Sequence, residues 1–367
     1  MGRAAIACVL LALLAGCAGG PALVGVGAPL VEGHILPGAS THAIYTVTTR
    51  APSDDPAEFF GGERADTPSY ARTMVVVPPE RTPGSLNLPE GGRADPRTDF
   101  IIADATRFDD AEALRVALDA ALARRAPEDR RILVFIHGYN TTFSAATARL
   151  AQFVQDTGYR GVPVLFSWPS DGRTMAYVRD INSAVAARDT LARLKDILNR
   201  TGAEAYDVLA HSMGNLLVME TLRTLALTGE FNRLQKLGVV ILAAPDIDID
   251  LFATQLRAVP PERRRFTVLI SSDDRALAVS RRLAGGVPRV GNAPPDALTA
   301  LGVTVIDLSE VDDPTSLHHD KFASSPEVVR LIGRALGDQG GLATSQGRSP
   351  LADLAGNIAD VVTFAPR

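Results

Sequence analysis

The run Ile132-Leu-Val-Phe-Ile136 constrains the fold more than any other feature of the chain. Five consecutive apolar residues, bounded by Arg131 and His137, leave no polar face to turn to water. A strand of this kind is buried on both sides, which is the condition of a parallel sheet covered by helices. The same pattern repeats downstream. Apolar strands are predicted at 162–168, 206–210, 239–243, 266–271 and 303–308. Between and after them, helical spacing predicts helices over 142–157, 176–200, 212–227 and 325–336. The helix over 176–200 places Ala184, Ala187, Leu191, Leu194 and Leu198 on one face and stops at Gly202. Strands alternating with helices imply an α/β fold with a mostly parallel central sheet and helices on both faces.

Upstream the pattern is looser. Residues 42–50 and 72–77 read as strands, 51–69 and 80–99 as loops, 100–103 as a short strand and 110–125 as a helix. The tail after Gly337 is rich in Gly, Gln and Ser and reads as flexible, with weak helical periodicity over 351–364. The domain is therefore expected to span 41–337, followed by a tail over 338–367.

The first residues read as a targeting segment. Arg3 supplies a positive end, 4–14 is apolar but too short to span a bilayer, and Leu14-Ala-Gly-Cys17 follows. That tetrapeptide resembles the bacterial lipobox. The resemblance implies a signal peptide over 1–16, a lipidated Cys17, a tether over 17–40 and an envelope location anchored through the lipid. Ala18 implies the outer membrane, facing the periplasm. The only other cysteine, Cys8, lies in the removed segment, so neither a disulfide nor a thiolate metal site is expected. The formal net charge of -5 and the lack of a basic stretch argue against nucleic acid as a partner.

Chemistry concentrates in Ala210-His-Ser-Met-Gly214, where a strand ends and a helix starts. This matches the nucleophile elbow G-x-S-x-G of the α/β-hydrolase fold, with Ala in the first position. The turn is so tight that the residues two before and two after the serine must be small. Ser212 is therefore the expected nucleophile. It needs a base and an acid later in the chain. His318 and His319 both lie in the loop after the last strand and fit the base by position. Asp273 and Asp274 both follow the strand at 266–271, and Asp246 is a substitute acid after the preceding strand. In this fold a backbone N–H after His-Gly and another after the nucleophile commonly form the oxyanion hole. Those residues are Tyr139 and Met213, while His137 reads as structural. No dinucleotide, phosphate-loop, zinc or calcium motif stands out, and no cofactor or metal is implied. Asp246, Asp248 and Asp250 alternate without the glycine or terminal Glu of a calcium loop.

Several stretches together resemble the uncharacterised α/β-hydrolase family DUF900. They include Tyr45-Thr-Val-Thr-Thr-Arg50, Phe59-Phe-Gly-Gly-Glu-Arg64, Phe135-Ile-His-Gly-Tyr-Asn140 and Phe166-Ser-Trp-Pro-Ser-Asp-Gly172. Ala210-His-Ser-Met-Gly214, Leu242-Ala-Ala-Pro-Asp-Ile-Asp248, Asp274-Arg-Ala-Leu277 and His319-Asp-Lys-Phe322-Ala-Ser complete the set. The resemblance spans roughly 43 to 336. It implies Asp274 rather than Asp273 and His319 rather than His318, and names no substrate. The sequence departs from the family in Ala210 and in Asp320-Lys321. The expected activity is acyl transfer to water on a small-molecule or lipid ester. Acyl transfer to an alcohol, lipase action on envelope lipids and a non-catalytic envelope binding protein are the alternatives.

Overall fold

The computed structural model describes residues 35–89, 94–337, 355 and 360–366. The expected signal peptide with Cys17, nearly all of the expected tether and the first part of the tail lie outside the described residues.

Ten strands form one sheet in the order β10-β9-β8-β7-β6-β4-β5-β1-β2-β3. The parallel block holds β4 (Arg131–Ile136), β5 (Val162–Ser167), β6 (Ala205–His211), β7 (Leu237–Ala243), β8 (Phe266–Ile270) and β9 (Thr304–Asp307). β1 (Ser40–Pro52) joins it in parallel beside β5. β2 (Phe60–Val77) and β3 (Ile101–Phe108) extend the sheet antiparallel from β1. β10 (Val362–Phe364) pairs antiparallel with β9 at the far edge, so residues beyond 337 contribute to the sheet.

The apolar run of β4 is buried along its length, and its alternation explains the layering. Ile132, Val134 and Ile136 pack into one core, and Leu133 and Phe135 into the other. The first core is closed by α1 (Ala111–Ala123), α3 (Tyr177–Ala186), α4 (Arg188–Asn199), α5 (Gly214–Leu227) and α6 (Ile249–Arg257). The second is closed by α2 (Phe143–Thr157) and, after α7 (Arg275–Leu283) and α8 (Pro295–Thr299), by α9 (Lys321–Ser324) and α10 (Pro326–Gly337). The architecture is that of an α/β hydrolase, as the strand–helix alternation implies.

Three expectations change. The tail, read as flexible with weak helical periodicity over 351–364, holds β10, which backbone pairing to β9 fixes at the sheet edge. Residues 60–69, read as loop, are strand. The outer half of β2 is largely half-buried or exposed, so backbone pairing to β1 holds it rather than an apolar face. The single helix over 176–200 is two, α3 and α4, separated at Ala187. Ala187 carries no Pro or Gly signal. It ends α3 with N–H bonds to Ser183 and Ala184 and starts α4 by accepting from Thr190 and Leu191.

Candidate active site

Every candidate catalytic residue comes from a loop at the carboxyl end of a parallel strand, where open α/β sheets place ligands. These loops are bent hard. Asn140, Ser212, Ala244 and His318 have φ of 54°, 52°, 44° and 54° and are not glycine. Left-handed backbone costs a side-chain-bearing residue about 1–2 kcal/mol, so surrounding contacts must hold each one.

Ser212 shows how. Its N–H donates to Ala243 O (3.0 Å), and its carbonyl accepts from Asn215 N (3.1 Å), Asn215 Nδ2 (2.9 Å) and Asp246 N (3.2 Å). The Asn215 amide also donates to Ala243 O (3.0 Å). The turn passes against the β4 loop. A Cβ on Gly214 would stand 2.4 Å from His137 O and 2.8 Å from Ile136 O, both backbone atoms that cannot swing away. A Cβ on Gly138 would stand 2.8 Å from the Ser212 Cβ. Ala210, fully buried, fills the place where the motif has glycine. Ser212 sits at the amino end of α5, whose dipole favours negative charge there. Of the first N–H groups of α5, Asn215 and Leu216 turn back to Ser212 O and Met213 O (3.1 Å each). That leaves Met213 and Gly214 as the orphan donors of the helix start.

His319 lies across from this turn. Its Nδ1 is 2.6 Å from Asp274 Oδ2, and the Asp274 side chain is fully buried. An ionised carboxylate only accepts, so Nδ1 carries the proton and Nε2 is the free basic nitrogen. Asp274 also holds its own helix. Its Oδ1 caps α7 by accepting from Leu277 N (2.9 Å), which fixes the carboxylate. Burial pulls the His319 pKa down. The Asp274 hydrogen bond and charge, with help from Asp320 and Asp246, outweigh it and leave the ring above its ordinary value. Ser212, His319, Tyr139 and Gly138 line one cavity of about 610 Å³, otherwise walled mainly by apolar side chains such as Phe135, Leu277 and Leu317.

The adjacent pair forms a twin. His318 Nδ1 is 2.6 Å from Asp273 Oδ2, but both side chains are about one-third exposed, and neither lines the cavity. Asp273 instead anchors the nearly buried Lys321, whose Nζ donates to both Asp273 oxygens and to Leu308 O and Ser309 O. Asp246 lines the cavity yet is committed elsewhere. It accepts from Tyr177 Oη (3.0 Å) and Ser280 Oγ (2.5 Å) and pairs with Arg289 Nε (3.2 Å). Asp248 caps α6, so the alternating aspartates turn to different work.

Three residues with structural roles here were not legible as such. His211 is largely buried beside His319, 4.7 Å between ring centroids, and its Nε2 faces His319 O (3.2 Å). A carbonyl can only accept, so Nε2 donates. Burial and the neighbouring His319 press its pKa to about 3. Asp320 pairs with Arg149 (2.9 Å) beside it. Burial pushes the Asp320 carboxyl up, but Arg149 and the two histidines outweigh this and leave it below its usual value. Arg50, buried near the end of β1, ties two loops and the start of β2 together through Thr141 O (2.6 Å), Ser170 O (2.8 Å) and Gly61 O (3.0 Å). His137 is buried too, stacked on Trp168 with its Nδ1 at Gly138 O (2.8 Å); burial first, then Arg50, holds it neutral. It serves the loop. The Tyr139 phenol reaches the carbonyls of Arg173 (3.2 Å) and Thr174, which fixes the loop that carries its N–H.

Fold and site together define an α/β hydrolase. Residues 112–335, more than half of the chain, match the family described as "Alpha/beta hydrolase of unknown function (DUF900)", and the chain belongs to it. No curated protein matches the chain. Among solved structures it is similar to an esterase of Pyrobaculum calidifontis, at 13% identity and a TM-score of 0.35, over 74% of this chain and 82% of that one. It is also similar to lipase B of Aspergillus fumigatus, at 15% identity and a TM-score of 0.39, over 68% and 66%. Fungal esterases of Rhizomucor miehei show 12% identity and a TM-score of 0.35 over 83% and 84%. At such scores the fold rests on the strand order above, not on these likenesses.

Proposed function

We propose that the chain is a serine hydrolase that cleaves a carboxylic ester, with Ser212 as nucleophile, His319 as base and Asp274 as the acid that orients it. The observation that supports this best is the 2.6 Å contact from a buried, helix-capping Asp274 to His319, in the cavity that Ser212 enters on a strained turn. The Ser212 proton passes to His319 Nε2 as Oγ attacks the ester carbonyl. The resulting oxyanion is met by the N–H groups of Tyr139 and Met213. His319 then gives its proton to the alcohol oxygen, the C–O bond breaks and the alcohol leaves. Water next yields a proton to Nε2 and attacks the acyl-enzyme; collapse expels Ser212 Oγ, which recovers the proton. Asp274 stays ionised throughout and stabilises the imidazolium. Neutral esters of graded acyl length, turned over by the wild type and by Ser212→Ala, test this. Turnover that falls by roughly 10⁴ or more in the variant supports it; equal turnover overturns it.

The lipid anchor at Cys17 belongs to the same reading and places the domain at a bacterial envelope membrane. Fractionation of cells expressing wild type and Cys17→Ala tests it: release of the variant from the membrane fraction is expected, and identical fractionation contradicts it.

A further inference from the structure

The mouth of the cavity is apolar on its outside. Among the described residues eleven large hydrophobic side chains are exposed, and five of them gather here. Val279, Leu283 and Leu317 line the cavity while more than half exposed. Met175, 96% exposed, and Val178, 70% exposed, flank the lining residues Thr174 and Tyr177. Such a concentration costs solubility and marks a contact surface rather than scatter. The segments are fixed to one another. Arg275 N–H donates to Leu317 O (3.0 Å), tying the histidine loop to α7, and Tyr139 holds the 173–174 carbonyls. α7 buries Leu277 and Ser280 and turns Val279 and Leu283 outward.

Charge says what would cover this face. Residues 275–289 contain Arg275, Arg281, Arg282 and Arg289 and no carboxylate. Arg281 and Arg282 are exposed beside Leu283, and Arg173 is exposed beside Met175. Asp171, on the same loop as Arg173, pairs with Arg179 (3.0 Å) and more loosely with Arg173 (3.7 Å), so that two arginines share one carboxylate there. A small apolar ridge flanked by arginines is the pattern of a peripheral contact with an anionic lipid surface.

We infer that α7 and residues 173–178 dock the cavity mouth onto an anionic phospholipid surface, so that the ester taken into the cavity is the acyl ester of a lipid in that surface. The lipid substrate rests on the serine hydrolase reading; the docking does not. Docking is read without turnover in the full-length chain. Trp168, fully buried, is the only native tryptophan, so Leu283→Trp supplies a reporter at the mouth and Leu234→Trp one before β7, at the opposite end of the sheet. With phosphatidylglycerol vesicles carrying acyl-chain-brominated lipid, Leu283→Trp fluorescence is expected to shift to the blue and to be quenched at least several-fold more than Leu234→Trp. A Cys17 anchor brings both reporters to the vesicle but inserts neither. Adding Arg281→Glu and Arg282→Glu should raise the lipid concentration for half quenching by roughly fivefold each, from about 1 kcal/mol per arginine at such a surface. Equal quenching of the two reporters overturns the docking, as does equal quenching on pure phosphatidylcholine. A Leu283→Trp spectrum already blue without vesicles overturns it too, because the face is then covered by protein. Turnover separates the two ideas. A soluble ester cleaved without docking sinks this inference alone; docking with no ester cleaved, soluble or lipid, sinks the hydrolase reading and the lipid substrate with it but keeps the surface.

Discussion

Asp274→Asn separates the twin pairs at the site. The substitution keeps the shape and removes the charge. Asp274 Oδ1 caps α7 at Leu277 N, and asparagine is an equally good cap, so folding should lose less than about 1 kcal/mol. With the amide oxygen held by the cap, its NH₂ group faces His319 Nδ1, where the carboxylate oxygen now stands 2.6 Å away. An amide nitrogen donates, so Nδ1 must become the acceptor and the proton moves to Nε2. That tautomer cannot take the Ser212 proton. A loss of roughly 10⁴ in kcat is expected, near 5 kcal/mol in the barrier. The pH profile should move as well. Activity needs neutral His319, so kcat/KM falls as pH drops through its pKa, which in the wild type is raised above its ordinary value by Asp274. Without the Asp274 charge, burial goes largely unopposed and the acidic limb shifts to lower pH. Steady-state kinetics across pH 5 to 9, with thermal melts as a folding control, read both effects. Asp273→Asn, which touches the one-third exposed His318, Lys321 and Ser271 and not His319, should change kcat by less than about tenfold. Comparable losses in the two variants would refute the assignment of the acid.

His211 is largely buried with a pKa near 3, so the unfolded chain binds more protons than the native one between about pH 3 and 6.5. Stability conferred by the neutral ring is therefore lost as pH falls through that window, at about 1.4 kcal/mol per pH unit. Urea titrations of His211→Gln should show a slope shallower by that amount, and an unchanged slope contradicts the assignment. Gly138→Ala drives a methyl to 2.8 Å from the Ser212 Cβ, and circular dichroism with ester kinetics should show destabilisation of about 1–3 kcal/mol together with loss of turnover. Lys321→Met strips four hydrogen bonds from the Asp273 carboxylate and two carbonyls, and chemical denaturation should register a loss of about 1–3 kcal/mol.

The parallel block was legible because burial on two faces writes itself into sequence. Ile132 to Ile136 serve two cores at once, and no exposed element can carry such a run. The outer half of β2 was not legible, since its pairing to β1 is irregular, through Phe60, Arg64 and Ser69, and Glu63-Arg-Ala-Asp66 leave no apolar period. β10 is an edge strand of three residues in a weakly helical pattern, too short to announce itself. At the site, the elbow was visible because its geometry demands small residues at fixed places. The choice between Asp273 and Asp274, and between His318 and His319, was not visible in position alone; it rested on family resemblance. In space His319 lines the cavity with Asp274 buried behind it, and the other pair faces outward, a difference of burial rather than of residue type. Asp320 and Lys321, where the chain departs from its family, each hold a partner around His319: Arg149 for one, Asp273 for the other. Their partners lie far away in sequence, which is why no spacing revealed them.

The central claim is that Ser212 is a nucleophile activated by His319. Reaction with a fluorophosphonate probe, followed by intact and peptide mass spectrometry, tests it most directly. One covalent adduct per chain is expected, on the peptide holding Ser212, abolished in Ser212→Ala and slowed by several orders of magnitude in His319→Ala. An adduct on another residue, or equal labelling of wild type and Ser212→Ala, contradicts it.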